Sequence, residues 1–243
     1  MDNLQDTWVY LSASPLFHLT LTLVAFQLAS FLFEKTGRNP LLNPVLGAVL
    51  IVVAVLMLTG TEYGTYFEGA QFVHFLLGPA TVALAVPLYR QWYRVRRSAL
   101  AIVVSLVAGS LTAILSALAV AWLAGSSEAV LASVAPKSVT APVAMGIAEK
   151  LGGLPSLTAV LVIVTGILGA MLGPKVLDVT GVVDWRARGL AIGTASHGIG
   201  TARALQVNET AGAFSGLAMG LNALATALLL PIIWSGILWI MGG

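Results

Sequence analysis

The chain has 243 residues, of which 58% are hydrophobic and 9% charged, with no cysteine and a formal net charge of +2. A soluble domain usually carries about 25% charged residues, so there are too few here for a water-facing shell; a mean hydropathy of +0.94, carried in long apolar runs, makes lipid the solvent. The lack of cysteine excludes disulfide frameworks, thiolate metal sites and a cysteine nucleophile, and the small net charge gives no sign of a nucleic-acid partner.

A bilayer core of about 30 Å takes roughly 20 apolar residues per helix. Asp2 and Asp6 are the charges ahead of the first apolar run, with no Lys or Arg, so a cleaved signal peptide is not expected. Residues 15–33 fit a first span, with Pro15 in its first turn and Glu34, Lys35 and Arg38 closing it. Residues 41–58 fit a second. Residues 72–89 fit a third, bent because Pro79 removes a backbone donor inside it. Residues 98–123 form an uncharged fourth, 157–172 a short fifth, and 210–243 an uncharged stretch too long for one crossing, expected to tilt strongly or break near Pro231. Arg90, Arg94, Arg96 and Arg97 crowd the link between the third and fourth spans, whereas Glu62 and Glu68 lie between the second and third. The positive-inside rule makes the Arg90–Arg97 loop cytoplasmic, and three crossings back the N-terminus is outside. The expected fold is all-α: a polytopic transmembrane helix bundle forming a single integral membrane domain over 1–243. Four spans lie in 1–123, and broken segments plus C-terminal spans in 124–243.

Two segments do not suit lipid. Residues 128–153 centre on Ala135-Pro136-Lys137-Ser138-Val139-Thr140-Ala141-Pro142, and residues 189–205 place His197 and Arg203 among small residues. Irregular backbone survives at membrane depth only where protein buries it or a wet cavity borders it. Two such segments, entering from opposite sides with one span between them, have the geometry of paired broken helices in secondary transporters, whose helix N-termini face anionic groups. The chemistry on offer is that of a carboxylate site. Lys137, Arg203 and His197 supply cationic groups, Arg203 with bidentate geometry. Ser138, Thr140, Thr194, Ser196 and Thr201 supply hydroxyls, and Gly193, Gly198 and Gly200 allow close backbone approach. Glu149 and Glu128 are the nearest acids, available to pair with Lys137 or, as with Glu149 and His197, to carry a coupling proton. Each residue also has a plainer reading: Lys137 snorkels or pairs with an acid, Arg203 meets a lipid phosphate, His197 is a bonded core histidine, and the hydroxyls join helices.

Other motifs fall away. Gly198-Ile199-Gly200-Thr201-Ala202-Arg203 has Arg203 where a dinucleotide fingerprint needs its third glycine. Ser196 and His197 are adjacent, so on a helix they diverge by about 100° and make no hydrolase pair. His18, His74 and His197 lack ligand spacing, which leaves no metal site or cofactor to expect. Gly212, Gly216 and Gly220, and Gly169 and Gly173, recur every four residues, the pattern of close helix packing within the chain or at a homodimer seam. Asn43, between Pro40 and Pro44, is placed to cap the second span or reach the pathway.

Pro136-Lys137-Ser138-Val139-Thr140-Ala141-Pro142 and Thr194-Ala195-Ser196-His197-Gly198-Ile199-Gly200-Thr201-Ala202-Arg203 resemble the two signature stretches of the LrgB/CidB family, and Asn39-Pro40-Leu41-Leu42-Asn43-Pro44 and Leu58-Thr59-Gly60 its second-span region. The resemblance covers nearly the whole chain. It implies a non-enzymatic multi-pass protein of the bacterial cytoplasmic membrane. Members have been described both as holin/antiholin-like regulators of murein hydrolase activity and as carriers of small carboxylates, with the related plastid protein exchanging glycolate and glycerate and bacterial relatives linked to pyruvate. It further implies a small LrgA/CidA-type membrane partner, which this chain does not contain. The expectation is a secondary transporter of small monocarboxylates, proton-coupled or exchanging, with a holin/antiholin-like pore or regulator of murein hydrolase export and lysis as the alternative.

Overall fold

The computed structural model describes residues 14–37, 42–76, 79, 82–83 and 85–242. Asp2, Asp6, Arg38, Asn39, Pro40, Leu41 and Gly243 lie outside the described residues, as do 77–78, 80–81 and 84 of the expected third span. All regular structure among the described residues is helical, and four helices are long and apolar enough to cross a bilayer. The protein is a multi-pass membrane protein. Its chain divides into two compact units, Met1–Ala83 and Leu84–Gly243.

The first unit holds α1 (Pro15–Lys35), α2 (Pro44–Thr59) and α3 (Tyr63–Phe75). Pro15 stands at the start of α1, where a missing N–H costs nothing. Asn43 caps α2, its Oδ1 accepting from the N–H groups of Val45 at 2.9 Å and Leu46 at 3.3 Å. Gly60 ends that helix in the left-handed conformation at φ 66°. α3 begins well ahead of the expected third span, so Glu68 rides on a helix and not in a loop. The remainder of that span, from Ala85, belongs to the second unit.

The second unit contains α4 (Ala85–Arg90), α5 (Trp92–Arg97), α6 (Ala99–Leu123), α7 (Glu128–Val134), α8 (Ala141–Lys150), α9 (Pro155–Val179), α10 (Trp185–Val207) and α11 (Glu209–Gly242). α9 runs past the expected end at Leu172, through Pro174, and α11, expected either to tilt strongly or to break near Pro231, passes through it unbroken. A proline removes one N–H and crowds the carbonyl four residues back, and a helix packed on both sides of it absorbs that loss. Leu230 and Trp234 flank Pro231 and bury against Ile114 and Leu118 of α6 and Leu131 of α7. At about 1.5 Å per residue the 34 residues of α11 extend about 50 Å, so α11 overshoots a perpendicular crossing.

α10 and α11 approach most closely. A Cβ added at Gly189 would strike the Ala211 carbonyl oxygen, and one at Gly193 the Ser215 carbonyl oxygen. Two glycines four apart therefore face two small residues four apart, which lets the backbones touch. Gly212 meets Leu205 of α10 in the same seam, so this glycine serves packing within the chain. Gly193→Val is expected to destabilise the unit by about 1–3 kcal/mol or more, because neither wall is a movable side chain. A thermal melt of the purified variant that matches the parent would refute this account of the seam.

Candidate functional site

The first interruption lies between α7 and α8. Pro136 has no N–H to continue the α7 ladder, and the chain turns through Lys137 N–H to Val134 O at 3.1 Å and Val139 N–H to Pro136 O at 3.2 Å. It then restarts at α8, with Thr140 as N-cap by its backbone, accepting from Ala144 N–H at 2.9 Å; the Thr140 hydroxyl makes no cap bond. Ser133 anchors the outgoing arm to α9: its Oγ accepts from Leu154 N–H at 2.8 Å, and its carbonyl accepts from Thr158 Oγ1 at 3.1 Å.

The second interruption lies inside α10 at His197, where φ is 41° and ψ is −135°. This backbone region belongs to glycine, and a side chain there is held against strain by its surroundings. His197 is buried, and its ring reaches α9 at 2.9 Å from the Val162 carbonyl. A carbonyl only accepts, so Nε2 carries the proton and donates. A Cβ at Gly166 would occupy the space of that imidazole, and one at Gly169 would overlap Ser196 Oγ. α9 thus presents bare backbone to both residues of the break.

One side chain ties the two interruptions together. Asn222 of α11 is buried, and its Nδ2 donates to the carbonyl of Ser138 at 3.3 Å and to that of Thr194 at 3.0 Å. Because both partners are carbonyls, the amide has only one workable orientation, and among the described residues Oδ1 is left without a partner. Val139 packs against Val162 on the other side. Both breaks therefore meet between α9 and α11, at the middle of α9.

Lys137, Ser138 and Ser196 line a common cleft of about 700 Å³, whose wall includes Thr165, Leu168 and Gly169 from the middle of α9. The Lys137 ammonium is half-buried and donates to Ser138 Oγ at 3.3 Å. Among the described residues no carboxylate forms an ion pair with it, so neither the Glu128 nor the Glu149 pairing is found; both acids are exposed. A second hollow, of about 540 Å³, adjoins the first through Gly109, Ala113, Ala191 and Ala195, and Thr194 borders it.

The other expected site residues sit elsewhere. Thr201 bonds the His197 carbonyl at 2.8 Å and Ser215 Oγ at 2.9 Å, so it joins α10 to α11. Arg203 donates to Gln206 Oε1 at 3.5 Å and is not among the cleft-lining residues. Gly193 admits the α11 backbone, Gly200 is crowded by Ser196 and Ile192 of its own helix, and Gly198 has ordinary room beside Met219. Asn43 is occupied as a cap in the first unit. Asn222 was missed: one amide in an uncharged apolar helix looks like ordinary helix glue, and the clue was that a buried amide needs partners where only broken backbone offers them.

Comparison with known proteins decides the family. The model of the LrgB-like family matches residues 22–235, a stretch that contains both breaks and Asn222. This chain is a member of the LrgB family. Among similar LrgB relatives, YxaC of Bacillus subtilis strain 168 is 37% identical over 215 residues, covering 88% of this chain and 94% of that protein. Holin-like protein CidB of Staphylococcus aureus strain Mu50 is 33% identical over 215 residues, covering 88% and 93%, and the same-named protein of Staphylococcus epidermidis strain RP62A is 32% identical with the same coverage. No solved structure matches this LrgB chain.

Proposed function

We propose that this chain carries small monocarboxylate anions of the glycolate, glycerate and pyruvate class across the bacterial cytoplasmic membrane, by exchange or with a proton, without covalent chemistry. The observation that carries this reading is the pair of hydrogen bonds that Asn222 Nδ2 donates to the Ser138 and Thr194 carbonyls, which holds two helix breaks at the wall of one cleft. An ammonium with no carboxylate partner among the described residues, flanked by the Ser138 and Ser196 hydroxyls, is complementary to a carboxylate bearing a neighbouring hydroxyl or carbonyl. In this reading Lys137 grips the anion while Ser138 and Ser196 orient it. His197 acts through shape, because its Nε2 proton is committed to Val162. The N-terminus is outside and the Arg90–Arg97 link cytoplasmic.

The second reading is a holin-like protein that, with a small LrgA/CidA-type partner or a second copy of itself, alters membrane permeability or regulates murein hydrolase export and lysis. The staphylococcal relatives are named holin-like, which favours this reading over any particular substrate. It needs no selective site. Purified protein in proteoliposomes separates the two readings when uptake of labelled glycolate, glycerate and pyruvate is measured with and without a pH gradient. A carrier saturates and is competed by close analogues. Equal leakage of unrelated solutes would refute the carrier and leave the holin-like reading.

A further inference from the structure

The Lys137 cleft is the inner end of a longer line of hollows. At the outer end, Tyr93, Arg94, Arg97, Trp185, Arg186 and Asp184 border a depression of about 790 Å³. Asp184 and Arg186 also border the hollow of about 540 Å³ that reaches Thr194, and that hollow shares walls with the Lys137 cleft. Three guanidinium groups face one carboxylate in the outer depression. Among the described residues Arg94 bonds neutral partners, Gln91 at 2.7 Å and Thr210 at 3.3 Å, and neither it nor Arg97 has an ion-pair partner. Arg186 stands at the neck, paired with Asp184 and 3.5 Å from Ser98 Oγ of α6. The same guanidinium holds the Asp184 carboxyl below the usual carboxylate range.

We infer that the depression lined by Arg94, Arg97 and Arg186 is an antechamber for small carboxylate anions, which concentrates them at the neck of the groove leading along α6 and α10 to Lys137. The identity of the anion rests on the carrier reading; the electrostatic selection does not. A cleft of one sign with low-dielectric walls focuses its field and raises the local concentration of counter-ions. The walls between are largely apolar, but hydroxyls recur along the route at Ser98, Ser105 and Thr194, and cationic groups stand at both ends.

The chain has no native cysteine, so a single thiol at Ser105→Cys reports on the groove directly. Protein in phosphatidylcholine nanodiscs is treated with anionic sulfonatoethyl or cationic trimethylammonioethyl methanethiosulfonate, each rate normalised to that of free mercaptoethanol. At low ionic strength the anionic reagent is expected to be favoured about tenfold. The ratio should fall towards unity in about 0.5 M salt and in Arg94→Gln/Arg97→Gln. It should survive in Arg97→Lys, and rise in Asp184→Asn, which keeps the helix cap. A ratio near unity insensitive to salt, or no reaction at Ser105→Cys, overturns the antechamber. So does a preference that vanishes in phosphatidylglycerol nanodiscs, since a lipid headgroup then fills the depression. The salt series needs no charge variant, so misfolding of a variant does not shield the proposal. A holin-like protein with no saturable uptake would still show the preference, which keeps the two failures apart.

Discussion

Replacing Lys137 by Met is expected to cut saturable monocarboxylate uptake steeply while raising the thermal stability of the protein. The two effects have one cause. The ammonium lies beside the middle of a spanning helix, half-buried, with a single hydroxyl at 3.3 Å and no carboxylate partner among the described residues. A charge in such a place forfeits hydration that one neutral hydroxyl does not return, and removing it is worth about 1–3 kcal/mol to the folded state. Met keeps the length and apolar stem of the side chain and deletes only the charge. A charge-assisted hydrogen bond to a carboxylate contributes about 1.5–3 kcal/mol, so uptake at low substrate concentration should drop by roughly one to two orders of magnitude. Lys137→Arg should retain part of it. Counterflow in proteoliposomes and a thermal melt in detergent check both halves. Full uptake in Lys137→Met would remove Lys137 from the substrate path, and a lowered melting temperature would show that the ammonium is stabilising where it sits.

The membrane class, most of the spans and the location of both interruptions follow from composition and from local chain chemistry. Pro136 and the cluster of glycines around His197 weaken a helix by local chemistry alone, so residues 128–153 and 189–205 can be picked out without tertiary knowledge. What the sequence withheld is which way each side chain points once the helix is broken. His197 and Ser196 are neighbours in the chain, yet the positive φ turns the imidazole onto the Val162 carbonyl while the serine faces the cleft. Gly193 looked suited to a ligand's approach and is filled instead by the backbone of α11, because a helix–helix contact and a ligand contact demand the same missing Cβ. Pro174 and Pro231 both lie inside continuous helices, although a break near Pro231 was one of the two outcomes expected there, since a proline removes only one hydrogen bond of the helix ladder. Local rules located the interruptions; the partners across the bundle were set by packing.

Asn222→Asp is expected to damage the protein more than Asn222→Leu, although aspartate is the closer mimic in shape. Nδ2 of Asn222 donates to two backbone carbonyls, those of Ser138 and Thr194, and no other side chain described in the structure bonds both interruptions. Leucine removes both bonds and strands two carbonyls. It also removes the unpartnered Oδ1 acceptor, so its net cost should be held to about 1–3 kcal/mol. Aspartate turns acceptor oxygens towards two carbonyl oxygens in a buried setting. It then either bears an unpaired charge or takes up a proton to donate one bond, and several kcal/mol are lost in either case. Only the second route depends on pH: the aspartate variant should recover stability as the pH falls and the carboxyl takes up its proton, whereas the leucine variant should not. Melting temperatures across that range, with uptake measured in parallel, test whether the tie between the breaks sets function or only stability. If Asn222→Leu keeps its melting temperature and full saturable uptake, the two breaks do not need to be held together, and the common cleft loses its structural reason.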